Sequence, residues 1–236
     1  MIKAILFDLD DTLYPEKQFV MSGFKVVSQY LSKKYNFESD DIFNILKDDF
    51  EKGLRRRNFD VLLQKLGLNN ENVEHLVRMY RMHFPKISLY PDAKSVLELV
   101  KGKFKLGLIT DGYFITQKNK ILSLRIEKYF DTIIINDIFE KISKLDIQPF
   151  LKALSQLRIE PKNALYVGDN PLKDFVSSKK IGIHTVRIKR ENGEYGRIEN
   201  GSLDADHTIS DLRQLLQVII GEYKISSNGE KYEKRI

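Results

Sequence analysis

The chain has 236 residues, 42% of them apolar and 31% charged, enough for a sizeable core in one large domain or in one domain carrying an inserted module. It has no cysteine, which excludes disulfides, thiolate metal ligands and a cysteine nucleophile and fits a reducing compartment. The formal charge is +6, but lysine and arginine are spread along the chain beside acids, so the excess reads as a solvated surface rather than a nucleic-acid footprint.

In chain order, Ile2 to Phe7 predicts a buried strand, broken at Tyr14-Pro15. From Glu16 to about Phe84 the apolar residues follow helical periods in four stretches. Turn clusters at Glu38-Ser39-Asp40 and Asn69-Asn70-Glu71-Asn72 separate some of them. After Tyr90, predicted helices over 91–100, 116–124, 148–157, 172–180 and 212–220 alternate with strands over 104–109, 132–136, 164–167 and 183–188. Strands alternating with crossover helices specify a parallel sheet covered on both faces. The expected organisation is a core of residues 1–15 and 86–221, a helical insert over 16–85, and a polar tail over 222–236. No apolar run approaches the roughly 20 residues that span a bilayer. The N-terminus reads as a strand rather than a secretory peptide, so a cytoplasmic chain without membrane contact is expected.

Ligands of parallel sheets bind beyond the carboxyl ends of the strands. Asp8, Asp10 and Thr12 follow the first strand, and Thr110-Asp111-Gly112 the second. Asn136, Asp137, Lys141 and Lys144 follow the third, and Gly168-Asp169-Asn170 with Asp174 the fourth. Asp8 and Asp10 are two apart on an extended chain and point the same way. Like charges held that close raise each other's pKa, so the pair implies a bound cation, acid/base chemistry, or both. A carboxylate that attacks phosphorus, hard oxygen ligands for Mg²⁺, a hydroxyl, a lysine and a second carboxyl group are together suited to phosphoryl transfer.

Asp8-Leu9-Asp10-Asp11-Thr12, Thr110-Asp111-Gly112, Lys144 and Gly168-Asp169-Asn170-Pro171-Leu172-Lys173-Asp174 resemble the four ordered motifs of the haloacid dehalogenase-like hydrolases. The resemblance spans residues 1 to 220, and the insert after the first motif is similar to the helical cap of the C1 type. It implies a Rossmann-like core under a cap, and a Mg²⁺-dependent phosphatase acting on a small phosphorylated metabolite. Asp8 is implied as nucleophile and metal ligand. Asp10 is implied as general acid/base, and as a metal ligand through its backbone carbonyl. Thr110, Asp111 and Lys144 are implied at the phosphate, Asp169 on the metal, and Asp174 and Asn170 behind them.

Dehalogenases of this family lack the acid at the position of Asp10, which favours a phosphatase; a phosphomutase keeps it. A binding protein that retains the fold without turnover is the alternative of a different class. The motif lysine is often followed by proline, whereas Leu145 follows Lys144, so Lys141 is the second choice. Tyr14, Gly112 and Tyr113 are candidates for the substrate entrance. Tyr14 and Tyr113 have packing as the equal alternative. Arg55-Arg56-Arg57 reads as a solvated face, with the alternative that one arginine reaches an anionic substrate group. The four histidines lack ligand spacing, and residues 189–201 read as a surface loop, with a flap over the site as the lesser alternative. A monomer or homodimer is expected.

Overall fold

The computed structural model describes residues 1–199, 201 and 204–223. Strand β1 (Ala4–Phe7) lies at the centre of the sheet, and its pleat explains why all four residues are apolar. Ile5 and Phe7 enter one core cluster and Ala4 and Leu6 the other, so the strand is buried on both faces. Strands β2 (Lys105–Gly112), β3 (Thr132–Asp137), β4 (Ala164–Gly168), β5 (His184–Ile188) and β6 (His207–Ile209) join it in the order β3-β2-β1-β4-β5-β6. Every pairing is parallel.

Four helices, α1 (Glu16–Tyr35), α2 (Ser39–Glu51), α3 (Asn58–Lys65) and α4 (Val73–Met82), intervene between β1 and α5 (Pro91–Val100). They share a separate apolar cluster that includes Phe24, Leu31, Leu46, Leu62 and Leu76. Where α1 and α4 cross, a side chain at Gly23 would collide with the Tyr80 ring, so only glycine permits that approach. The core crossovers run through α6 (Phe114–Leu124), α7 (Gln148–Leu157) and α8 (Val176–Lys180), and α9 (Leu215–Tyr223) closes the described chain. The polar tail expected over 222–236 lies outside the described residues, apart from the backbone of Glu222 and Tyr223 in α9. Among the described residues no helix is long and apolar enough to cross a membrane.

Three elements differ from the sequence reading. β2 continues to Gly112 because Thr110, Asp111 and Gly112 pair with Ile135, Asn136 and Asp137, although their polar character suggests a loop. The helix expected from Leu172 starts only at Val176. Asn170 Oδ1 accepts from Leu172 N and Asp174 Oδ2 from Asn170 N, and such side-chain bonds hold a turn in competition with the helix. β6 has three residues and too little pattern to signal itself; pairing with β5 makes it a strand.

The chain leaves the centre toward β3, then crosses back to begin β4 on the other side of β1. That reversal opens a crevice at the carboxyl ends of β1 and β4. Phe7 is in register with Leu108 and with Val167, so Asp8 emerges between the ends of β2 and β4.

Candidate active site

Asp8 is 4% exposed, and its backbone N–H donates to Val167 O at 2.8 Å, fixing the side chain at the crevice floor. Lys144 Nζ lies 2.5 Å from Asp8 Oδ1 and 2.6 Å from Asp174 Oδ1. Asp174 is fully buried; it also accepts from Asn170 N at 2.9 Å and from the Tyr166 hydroxyl at 3.3 Å. Its carboxylate packs directly over Gly168, where any Cβ would collide with it. That contact explains why glycine precedes Asp169.

Asp8, Asp169 and Asp174 each present an oxygen within 4.8 Å of the others. Burial, then the neighbouring Asp174 and Asp10 charges, raises the Asp8 pKa to about 7 despite Lys144. Burial, with Asp174 and Asp8, raises Asp169 well above the usual carboxylate range. Burial opposes the charge on Lys144, but Asp174 and Asp8 outweigh it and hold that proton tightly. Three buried carboxylates are a hard oxygen donor set, which fits a divalent cation such as Mg²⁺.

The Asp10 carboxylate lines the same cavity and has its own set of donors. Tyr14 Oη donates to it at 2.5 Å, Lys120 Nζ at 2.7 Å and Gln117 Nε2 at 2.9 Å. Burial would raise its pKa, but Lys120, Tyr14 and Gln117 together pull it below the usual value. Gln117 Nε2 also reaches Thr110 Oγ1 at 2.5 Å, so one amide ties the ends of β1 and β2. Asp111 accepts from Asn136 Nδ2 at 2.6 Å and from Lys144 N at 3.2 Å, and pairs with Lys173. A cavity of about 120 Å³ is lined by Asp8, Asp10, Thr110, Asp111, Lys144, Asp169 and Asn170 among others.

The structure thus brings together Asp8, Asp10, Thr110, Asp111, Lys144, Asp169, Asn170 and Asp174. Lys141 stands apart, exposed in the left-handed region at φ 55°. None of the three expected entrance residues lines the Asp8 cavity. Tyr14 has no exposed surface and is committed to Asp10. Tyr113 packs on Phe139 and under Arg81, whose guanidinium lies 3.8 Å from its ring, in a separate groove. Gly112, at φ 152°, closes β2 and does not line the Asp8 cavity.

Sequence reasoning missed Gln117 and Lys120. Their signal is a polar pair three apart, on one helix face, in the first turns after Thr110-Asp111-Gly112. It also read residues 189–201 as a surface loop. Fully buried Arg187 donates to Asp169 O at 3.3 Å, to Tyr195 O and Ile198 O at 2.7 Å each, and pairs with Asp204 at 2.6 Å. Arg190 binds Asp92 and Thr12 O, stacking on Tyr90. The segment is therefore strapped to the core, and it presents Tyr195 to the Asp8 cavity.

Strand-end carboxylates gather around a buried lysine in the crevice of a parallel sheet, on a Rossmann-like α/β core. The chain belongs to the haloacid dehalogenase-like hydrolases, whose family model matches residues 5–188. It is 32% identical over 226 residues to glyceraldehyde 3-phosphate phosphatase of Methanocaldococcus jannaschii, covering 93% of this chain and 97% of the relative. It is 28% identical to pyrophosphatase PpaX of Bacillus mycoides, covering 79% and 83%. Among solved structures, HAD phosphatase from Thermococcus onnurineus superposes with TM-score 0.61 at 27% identity, covering 94% of this chain and 99% of that one.

Proposed function

We propose that this chain is a phosphatase that hydrolyses a phosphate monoester of a small metabolite, with Asp8 as nucleophile and Mg²⁺ as cofactor. The observation that carries the reading is Lys144 Nζ held between Asp8 and Asp174 beside Asp169. The phosphatase names of the relatives support the reaction class. Asp8, Asp169 and the Asp10 carbonyl would hold the ion, which supplies charge neutralisation for an anion attacking an anion.

In this reading a carboxylate oxygen of Asp8 attacks phosphorus while the bond to the leaving oxygen breaks. Lys144 and the Thr110 hydroxyl hold the phosphoryl oxygens. Asp10 is ionised while Lys120, Tyr14 and Gln117 hold it, so it takes up a proton as the ester binds; it gives that proton to the leaving oxygen, then takes one from the water that attacks phosphorus and breaks the bond to Asp8. Phosphate leaves, and both carboxyl groups return to their starting state. Halide release needs no proton, so a carboxyl group at the position of Asp10 favours an alcohol leaving group over dehalogenation. We place the enzyme in the cytoplasm, where phosphorylated metabolites meet free Mg²⁺.

Phosphate release from a metabolite panel, with Mg²⁺ and then with EDTA, tests the reading. Asp8→Asn and chelation should each abolish turnover, and robust activity after either would overturn it.

A further inference from the structure

Among the described residues Arg187, on β5, is the largest side chain with no exposed surface, and the reaction above makes no use of it. It is in register with Gly168, so it ends its strand beside Asp169. A guanidinium offers five donors in a fixed planar fork. Here the fork spans two segments. Nε donates to Asp169 O at 3.3 Å, while Nη2 donates to Tyr195 O and Ile198 O at 2.7 Å each. Nη1 pairs with Asp204 at 2.6 Å, which balances the charge. Apolar packing would fill the same space without burying a charge, so what the arginine adds is a fixed relation between the two segments.

The second segment has further anchors. Arg190 ties its start to Asp92 and Thr12 O, and Glu194 N donates to Asp11 Oδ2 at 3.2 Å. The chain then turns tightly, with Gly193 N donating to Arg190 O and Gly196 N to Gly193 O. A Cβ at Gly196 would strike Arg190 O, so this close approach needs glycine. The turn delivers Tyr195 to the cavity lined by Asp8, Lys144, Asp169 and Asn170. Burial, then the charges of Glu194, Asp169, Glu16 and Asp174, raises the Tyr195 pKa to about 12, so the phenol is a donor at neutral pH. Among the described residues no hydrogen bond occupies its hydroxyl.

Resting on the phosphatase reading, we infer that the Tyr195 hydroxyl donates to a phosphoryl oxygen of the bound ester, and that Arg187 is the positioning residue that fixes Tyr195 relative to Asp169. Hydrogen bonds to an ionised oxygen are the strong ones, and a donor held on a strapped turn loses little freedom in making one.

Kinetics in Mg²⁺ with p-nitrophenyl phosphate, and competitive inhibition by inorganic phosphate, test both parts. A contact made equally in the bound and the reacting ester is lost from binding. Tyr195→Phe should therefore raise KM and the phosphate inhibition constant together by about tenfold or more, with kcat changed less than about threefold. Arg187→Lys keeps a cation beside Asp204 but loses the fork, so both constants should rise in the same way. Adding Tyr195→Phe to it should then cost less than about twofold more. Should Arg187→Lys fail to fold, Gly196→Ala shifts the same turn without touching a buried charge, and should show the same rise and the same non-additivity. Unchanged KM and phosphate inhibition in Tyr195→Phe overturn the substrate contact, and effects that multiply in the double variant overturn the positioning role. Turnover in either case leaves the phosphatase reading intact. No Mg²⁺-dependent turnover by the unsubstituted protein overturns both.

Discussion

Replacing Lys144 by methionine tests the electrostatic logic of the site most directly. Methionine keeps much of the apolar stem and removes the charge. Lys144 is 4% exposed, with Asp8 at 2.5 Å and Asp174 at 2.6 Å. Without it, three carboxylates with oxygens within 4.8 Å of one another lose the cation between them. Deleting one partner of a buried ion pair costs about 3–5 kcal/mol. For a chain of this size that is roughly 6–20 °C in Tm.

The pH dependence has a definite sign. Asp8 has a folded pKa of about 7 against an ordinary 3.8, so between those values the folded state binds more protons than the unfolded. Stability then falls as pH rises through that window. Lys144→Met removes the charge that lowers the Asp8 pKa, so its deficit should be largest near pH 8 and shrink toward about pH 5, where Asp8 carries its proton. Thermal unfolding in EDTA across that range measures the deficit, and added Mg²⁺ should restore part of it. Phosphatase activity should fall by about 10³-fold or more. A deficit below about 2 °C near pH 8, or one that grows on acidification, would refute the reasoning.

Three further outcomes are expected. In the unsubstituted protein, Mg²⁺ should raise Tm more at pH 8 than at pH 5, because binding displaces protons from Asp8 and Asp169, whose pKa values are both raised; equal shifts would count against the cluster as the metal site. Lys120→Met frees the Asp10 carboxyl group, so hydrolysis of alkyl phosphates should drop about 10–100-fold while p-nitrophenyl phosphate, whose leaving group needs little protonation, changes less than about threefold. Equal losses on the two substrates would reduce Lys120 to a packing role. Gly168→Ala places a methyl group against the Asp174 carboxylate, and should cost about 1–3 kcal/mol together with most activity; a variant with native Tm and turnover would show that the close approach is dispensable.

The parallel sheet, its helical insert and the strand-end positions of Asp8, Asp10, Thr110 and Asp169 were legible in the sequence. Each depends on a local pattern. Apolar runs mark buried strands, 3.6-residue periods mark helices, and the topology of parallel sheets sends polar strand ends to one edge. The choice between Lys141 and Lys144 was not local. They are three positions apart, yet one is exposed in a left-handed turn and the other is buried against Asp8, 136 positions away. The clamp on Asp10 likewise joins residues 110 positions apart. Tyr14 looked like an entrance residue because adjacency to a motif says nothing about which way a ring packs. Residues 189–201 read as a surface loop before a flap because the buried guanidinium of Arg187, which holds Tyr195 and Ile198, is recognisable only once its partners surround it.

Sequence alone therefore determined which polar residue types end the strands and the edge on which they gather, since pleat and period are properties of neighbouring residues. The tertiary structure decided which lysine is buried with Asp8 and which donors hold Asp10, since burial and pairing arise only between segments distant in the chain.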